Sequence, residues 1–301
     1  MTRAPRHVLV TGAAGRIGGA VVRHLRGEGI AVTAVSKEIG PELEAERVVE
    51  GDATGEALIV ELLQGTSELG PVDAVVHMAA IPHRDTAPPM QVYRTNVLST
   101  FNVLTKAAEA GVANVVFASS INATGIPLND HDVLPAYYPI DVHLPADLGD
   151  WYSLSKASDE LTGAMVARRW GTTIVALRLP WTHVAQDELV AFSERHTRDP
   201  SLGVREGWAH IDSRDAARAA LLALTRDLEG FHVLCVAARE TLVPYPTEEL
   251  LERYAPDVPR RRAFTDRETP MDLAEAERVL GFRPEFALEL EPVPLSEAVR
   301  T

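Results

Sequence analysis

Seven short β-rich runs, His7 to Thr11, Ile30 to Val35, Arg47 to Glu50, Val72 to His77, Asn114 to Ser119, Thr172 to Arg178 and Phe231 to Val236, alternate with helical patterns along this chain. The intervening helices fall at about residues 16–27, 55–65, 89–110, 152–170 and 212–227. A strand, a helix and a second strand in succession make a right-handed crossover, and repeated crossovers build a parallel sheet covered on both faces. The expected fold class is α/β, a doubly wound parallel sheet. After Pro180 the segments Trp181 to Gly207 and Val243 to Glu291 are richer in proline and charge, with short helices expected near 187–196, 247–254 and 272–280. The expected division is a dinucleotide-binding domain over 1–180, with 208–240 returning to the sheet, and a small C-terminal substrate lobe from 181–207 and 241–301. That lobe would sit over the carboxyl ends of the strands, where open sheets bind ligands.

Composition narrows the partners. A chain of 301 residues that is 46% hydrophobic can bury a full core. A formal charge of −14 without a compensating basic run argues against nucleic acid and for a small-molecule substrate. The single cysteine, Cys235, lies in the apolar run Phe231 to Val236 and reads as a small core residue. Residues 1–6 precede no apolar leader segment, and no run reaches the roughly 18 apolar residues of a membrane span. The expectation is a soluble, cytoplasmic protein without a membrane partner.

Thr11-Gly12-Ala13-Ala14-Gly15-Arg16-Ile17-Gly18 closes the first strand and opens the first helix, so backbone amides and the positive helix end can face a pyrophosphate. Gly12 suits a tight turn, Gly15 close ligand approach and Gly18 close packing of helix on sheet. The spacing is G-x-x-G-x-x-G rather than G-x-G-x-x-G, and its position between strand and helix supplies the specificity that spacing alone lacks. The second strand then ends in Val35-Ser36-Lys37, where an NAD-binding chain would carry a carboxylate for the ribose. A hydroxyl and a cation, with Arg16 nearby, suit a 2′-phosphate, which favours NADP(H). NAD(H) held by backbone groups, with Lys37 and Arg16 merely solvated, is the alternative.

Tyr152 and Lys156 share one face of a helix. The lysine charge favours phenolate, so the tyrosine can move a proton to or from a hydroxyl or carbonyl oxygen. Asp212 and Asp215 open the last of the long helices and read as a cap and a favourable charge at its positive end. Asp130-His131-Asp132 reads as a solvated loop cluster, and no compact ligand spacing predicts a metal.

With these residues assembled, the chain resembles the extended short-chain dehydrogenase/reductase family, which includes nucleotide-sugar epimerases and uronate dehydrogenases. The likeness covers nearly the whole chain and implies a Rossmann-type fold. Thr11 to Gly18 is similar to its TGxxGxxG turn, with Ala14, Arg16 and Ile17 beside the cofactor, and Asp52 with Ala53 to its adenine-binding site. His77 to Ala80 resembles the segment lining the cofactor, which implies contacts from Ala79 and Ala80. Asn96 matches a helix asparagine that shapes the helix, and Ser120 the catalytic hydroxyl that follows the fifth strand. Tyr152 and Lys156 complete the catalytic set, and Leu177 to Pro180 resembles the segment that meets the nicotinamide carboxamide. Leu280-Gly-Phe-Arg-Pro284 is similar to the family's ending.

The resemblance implies hydride transfer between nicotinamide and a hydroxyl or carbonyl carbon, with Tyr152 as acid and base, Ser120 supporting charge on oxygen and Lys156 holding the ribose. Dehydration is disfavoured because Ile121-Asn122 follows Ser120 where dehydratases of this family carry Asp-Glu. Epimerisation by transient oxidation uses the same set and remains the alternative, and a cofactor sensor without catalysis is the rival of another class. About 27 residues separate Pro180 from Trp208, short for a nucleotide-holding wall, so a free sugar, uronic acid or similar carbonyl is the expected substrate. Ser120, Ile121, Asn122, His83 and Trp181 are its candidate contacts, although His83 and Arg84 fit a solvated loop equally well; Arg178 reads as structural. The helices near 89–110 and 152–170 resemble the pair that forms the family's dimer interface, with Val97, Phe101, Leu104, Leu161, Met165 and Val166 as candidate apolar contacts, some of which must pack on the sheet.

Overall fold

A computed structural model describes residues 4–295. The ends of the two sequence-defined regions, residues 1–3 and 296–301, lie outside the described residues. Seven strands, β1 (His7–Thr11), β2 (Ala31–Ser36), β3 (Arg47–Glu50), β4 (Ala74–His77), β5 (Asn114–Ser120), β6 (Thr173–Leu179) and β9 (Phe231–Cys235), form one parallel sheet in the order β3-β2-β1-β4-β5-β6-β9. Its order reverses between β1 and β4, and the crevice above that switch point is where a doubly wound sheet offers its ligand site. The sequence-derived strands match to within two residues at their ends.

The sheet is an α/β Rossmann-type sheet because its central strands are apolar on both sides. Each residue of β1, β4 and β6 is buried, and β3, at the edge, alternates. Successive residues face opposite ways, so Val10 joins one layer and Leu9 the other. Val10 packs beneath α1 (Arg16–Gly27), α6 (Ser213–Thr225) and α8 (Ala274–Leu280), with Leu25, Ala220 and Leu280 in that core. Leu9 packs beneath α2 (Glu56–Gln64), α3 (Pro89–Glu109) and α4 (Trp151–Trp170), with Leu62, Leu104 and Val166. Leu104 and Val166, two of the apolar residues considered for an interface, are thus committed to the sheet. Val97 is half-buried, and Phe101, Leu161 and Met165 are exposed.

A separate apolar core lies outside these layers. Tyr138 from the segment before α4 joins Trp208, Met271 and Leu250 of α7 (Thr247–Tyr254). Trp208, fully buried, donates its indole N–H to the Pro200 carbonyl at 2.7 Å and so holds the 3-10 turn Pro200–Glu206 beneath it. Arg267, 1% exposed, donates to the carbonyls of Leu288 and Leu290 and pairs with Glu240, which fixes the late segment against this core. A two-stranded parallel pair joins it to the sheet: β7 (Trp181–His183) and β8 (His210–Asp212), with Trp181 opposite His210. The chain between them carries α5 (Gln186–Arg198). Three-residue strands carry too little pattern to be read from sequence.

Asp212 caps α6 through the Arg214 amide, and Asp215 accepts the amides of Glu285 and Phe286, so both carboxylates hold structure, as expected. Asp130 and Asp132 pair with Arg84 and Arg205. Cys235 is buried, and burial pushes its thiol up to about 12. No helix among the described residues is long and apolar enough to cross a membrane.

Candidate active site

β1 and β4 end side by side, Thr11 level with His77, and the turns that follow form the floor of a cleft. Gly12 sits at φ +65°, and a Cβ there would lie 2.6 Å from the Ala79 backbone nitrogen, so a side chain is excluded both by conformation and by the second turn. A Cβ on Gly18 would collide with the Gly12 carbonyl, which is how α1 comes to start directly behind the turn. Gly15 is the N-cap of α1 and makes no side-chain cap, and no carboxylate occupies the first turn. The first amides of this 12-residue helix are therefore left for an anion, which fits the residues to a pyrophosphate.

The cleft encloses about 220 Å³ and is lined by Gly12, Gly15, Ser36, Lys37, Asp52, Ala53, Ala79 and Ala80 from the expected set. Met78 adds surface from the expected His77 to Ala80 segment, while Ile81, Thr95 and Ser99 were missed by sequence reasoning; Thr95 and Ser99, four residues apart on one helix face beside Asn96, could have been found from that spacing. Ala14, Arg16, Ile17, Gly18 and Pro180 lie outside this lining. Arg16 is drawn to Glu188 of α5, so the structure does not bring it to Lys37. Lys37 instead pairs with Asp52 at 2.9 Å. Burial raises the Asp52 carboxyl, and the Thr54 amide and Lys37 outweigh it, holding the group below its usual range.

The chemistry-bearing side chains stand at the ends of β5 and α4. Asp150 caps α4, accepting the amides of Tyr152 at 2.8 Å and Ser153 at 2.9 Å and the Ser153 hydroxyl, which fixes the first turn that carries Tyr152. Sequence reasoning did not single out that aspartate, although an Asp directly before a helical run is itself a cap signal. Tyr152 and Lys156 are 7% and 4% exposed. The Lys156 ammonium donates to the Ala118 carbonyl of β5 at 2.8 Å and lies 3.4 Å from Asp159. Two residues beyond Ala118, Ser120 Oγ accepts both the backbone and side-chain N–H of Asn122, each at 3.1 Å. With its acceptor positions used, the hydroxyl proton is free to donate into the site.

Other expected residues have different tasks. Asn96, fully buried, accepts the Ile81 amide at 2.7 Å and donates to the Ile81 carbonyl and to Ser155 Oγ, both at 3.1 Å. It clamps the turn after β4 onto α4. Ile121 is 3% exposed and packs in the lobe core. Arg84 donates to the Leu128 carbonyl and Asp130, while its own carbonyl accepts the Trp151 indole N–H, so it joins loops. His83 stays half-exposed. Trp181 stacks on Phe192 of α5, ring centroids 3.8 Å apart and nearly parallel. Arg178 forms a two-bond ion pair with Glu160 of α4, both bonds 2.8 Å, and is structural.

Comparison with known proteins agrees with this arrangement. The model of the family described as NAD dependent epimerase/dehydratase matches residues 8–185. A uronate dehydrogenase of Pseudomonas putida is 27% identical over 229 residues, 71% of this chain and 80% of its own length. A dTDP-glucose 4,6-dehydratase of Streptomyces antibioticus is 29% identical over 310 residues, 92% of this chain and 88% of its own. Among solved structures, a UDP-glucose 4-epimerase of Thermotoga maritima with UDP-glucose aligns at a TM-score of 0.68 and 22% identity, covering 93% of this chain and 94% of that one.

Proposed function

The chain belongs to the NAD dependent epimerase/dehydratase family, and from that premise we propose that it is an NAD(P)-dependent oxidoreductase acting on a small sugar-like hydroxyl or carbonyl compound. The observation that supports the reading is the Lys156 ammonium of α4 donating to the Ala118 carbonyl of β5, two residues before Ser120 and one helical turn from Tyr152. When bound, the nicotinamide supplies the hydride acceptor or donor. Gly12, Gly15 and the first amides of α1 would hold the pyrophosphate, Asp52 the adenine end and Lys156 the nicotinamide ribose. The substrate oxygen lies between Ser120 Oγ and Tyr152 Oη. Tyr152 transfers its proton, Ser120 donates a hydrogen bond to charge growing on that oxygen, and the Lys156 ammonium stabilises phenolate charge one helical turn away.

No carboxylate follows Ser120, since Ile121 is packed away and Asn122 is tied to the serine, so elimination lacks its base. Trp181 and Phe192 would offer an apolar face to a sugar ring. NADP(H) is the preferred cofactor, because Ser36 and Lys37 at the ribose end of the cleft offer a hydroxyl and a cation with no acid on the second strand. The segments 181–207 and 241–301 act as the substrate lobe. One buried cysteine suits a reducing, cytoplasmic setting. A homodimer forms through α3 and α4, whose outer face exposes Leu98, Phe101, Leu161 and Met165.

The test is a panel of free sugars and uronic acids incubated with NAD(H) or NADP(H), followed at the absorbance of reduced nicotinamide. Net oxidation or reduction supports the proposal. Isomer exchange without net change makes the protein an epimerase, and cofactor binding with neither overturns catalysis altogether.

A further inference from the structure

Behind the active-site face, α4 carries a second carboxylate that the reaction does not touch. Asp159 is fully buried, its Oδ2 is 3.4 Å from Lys156 Nζ, and its Oδ1 has no hydrogen-bond partner. A buried acid in this position is costly unless it offsets a charge. Lys156 provides that charge, since its side chain is 4% exposed and its neutral partner, the Ala118 carbonyl, cannot balance an ammonium.

A row of buried polar side chains runs alongside the pair. Thr11 Oγ1 lies 2.6 Å from His77 Nδ1, and His77 Nε2 lies 3.2 Å from Thr100 Oγ1. Burial, and then the Lys156 charge, hold His77 neutral down to about 3, so this row brings no charge to balance the ammonium.

We propose that Asp159 is a positioning residue, the internal counter-ion that keeps Lys156 charged out of water and aimed along the site. The proposal rests on the reading of Lys156 as the partner of Tyr152, and its test needs no turnover. The charged and titratable groups that act on the pair are Glu160 on α4, itself bound to Arg178 of β6, and His77 on β4. Burial raises Asp159 to about 6 against the opposing pull of Lys156 and Thr100, so its loss of charge falls in an accessible range.

The chain contains three lysines, Lys37, Lys106 and Lys156, so protein labelled with 13C at lysine Cε gives a spectrum in which each can be followed. In Asp159→Asn, which keeps the shape and removes the charge, the Lys156 resonance should titrate about one pH unit or more lower than in the wild type, a tenfold loss of proton affinity. Lys37 and Lys106 should not move. The wild-type Lys156 resonance should also inflect between about pH 5 and 7, as Asp159 takes up a proton, and the variant should lack this step. A folded variant whose Lys156 titration moves by less than roughly 0.3 units overturns the proposal, because a packing role alone would leave it in place. If the variant does not fold, a wild-type resonance without the inflection overturns it. Failure of the sugar panel with the lysine shift present would instead reject the assigned reaction and leave the counter-ion standing.

Discussion

Arg178→Met should destabilise the protein by about 3–5 kcal/mol, the usual cost of removing one partner from a buried ion pair. Arg178 stands on β6 between Ser119 of β5 and Cys235 of β9, with 8% of its surface exposed. Its Nε and Nη2 donate to the two oxygens of Glu160 at 2.8 Å each, and Nη1 reaches the Val142 carbonyl at 3.3 Å. Burial works against the guanidinium charge, and the Glu160 bonds more than offset it, so the group is held above its usual range. Methionine would leave Glu160 with the Ser119 hydroxyl, 2.6 Å away, as its remaining side-chain donor. For a chain of this size an unfolding entropy of about 2.1 cal/mol/K per residue amounts to roughly 0.6 kcal/mol/K, so a loss of about 4 kcal/mol lowers Tm by about 6 °C. The Arg178→Met, Glu160→Gln double variant removes both charges and should recover most of the loss. Urea unfolding followed by circular dichroism gives these values directly. A single variant within about 1 kcal/mol of the wild type, or a double variant no better than the single one, would refute the assignment of a buried, mutually dependent pair.

Tyr152→Phe should lower kcat by about two to four decades while cofactor affinity changes little, because it deletes one proton and leaves the nucleotide cleft intact; steady-state rates and a binding titration separate the two. Lys37→Ala should weaken NADPH more than NADH, and equal losses in fluorescence titrations would count against the 2′-phosphate role. His77 and His210, which burial holds down to about 3, are neutral when folded, so stability present above pH 6.5 is lost as pH falls towards 3, at most about 4–5 kcal/mol for each; Asp159, raised to about 6, opposes this by favouring the fold most below its unfolded value. A urea midpoint unchanged between pH 6.5 and 4.5 would contradict that balance. Phe101→Asp with Leu161→Asp should convert a dimer to monomer in light scattering at micromolar concentration, since both side chains are exposed and their loss spares the core.

The residues legible in the sequence were those whose job is local. A strand ending in glycines and opening a helix carries its own reason at Thr11 to Gly18, and Tyr152 with Lys156 needs only helical spacing to share a face. The residues that escaped act across the fold. Glu160 meets Arg178 across the contact of a helix with a strand, and β7 finds β8 only after α5 and the 3-10 turn have folded back, so neither contact leaves a periodic trace. Arg16 was read towards the cleft because its helix position allows it, and the nearer acid on α5 decides otherwise. Asp159 is the instructive case, because its three-residue spacing from Lys156 was visible and the same spacing on a solvated face means little. What turns that spacing into chemistry is the packing of α4 against α3 and β5, which takes water away from both charges. The charge pattern of a helix therefore acquires meaning at the point where the sheet decides which of its faces is dry.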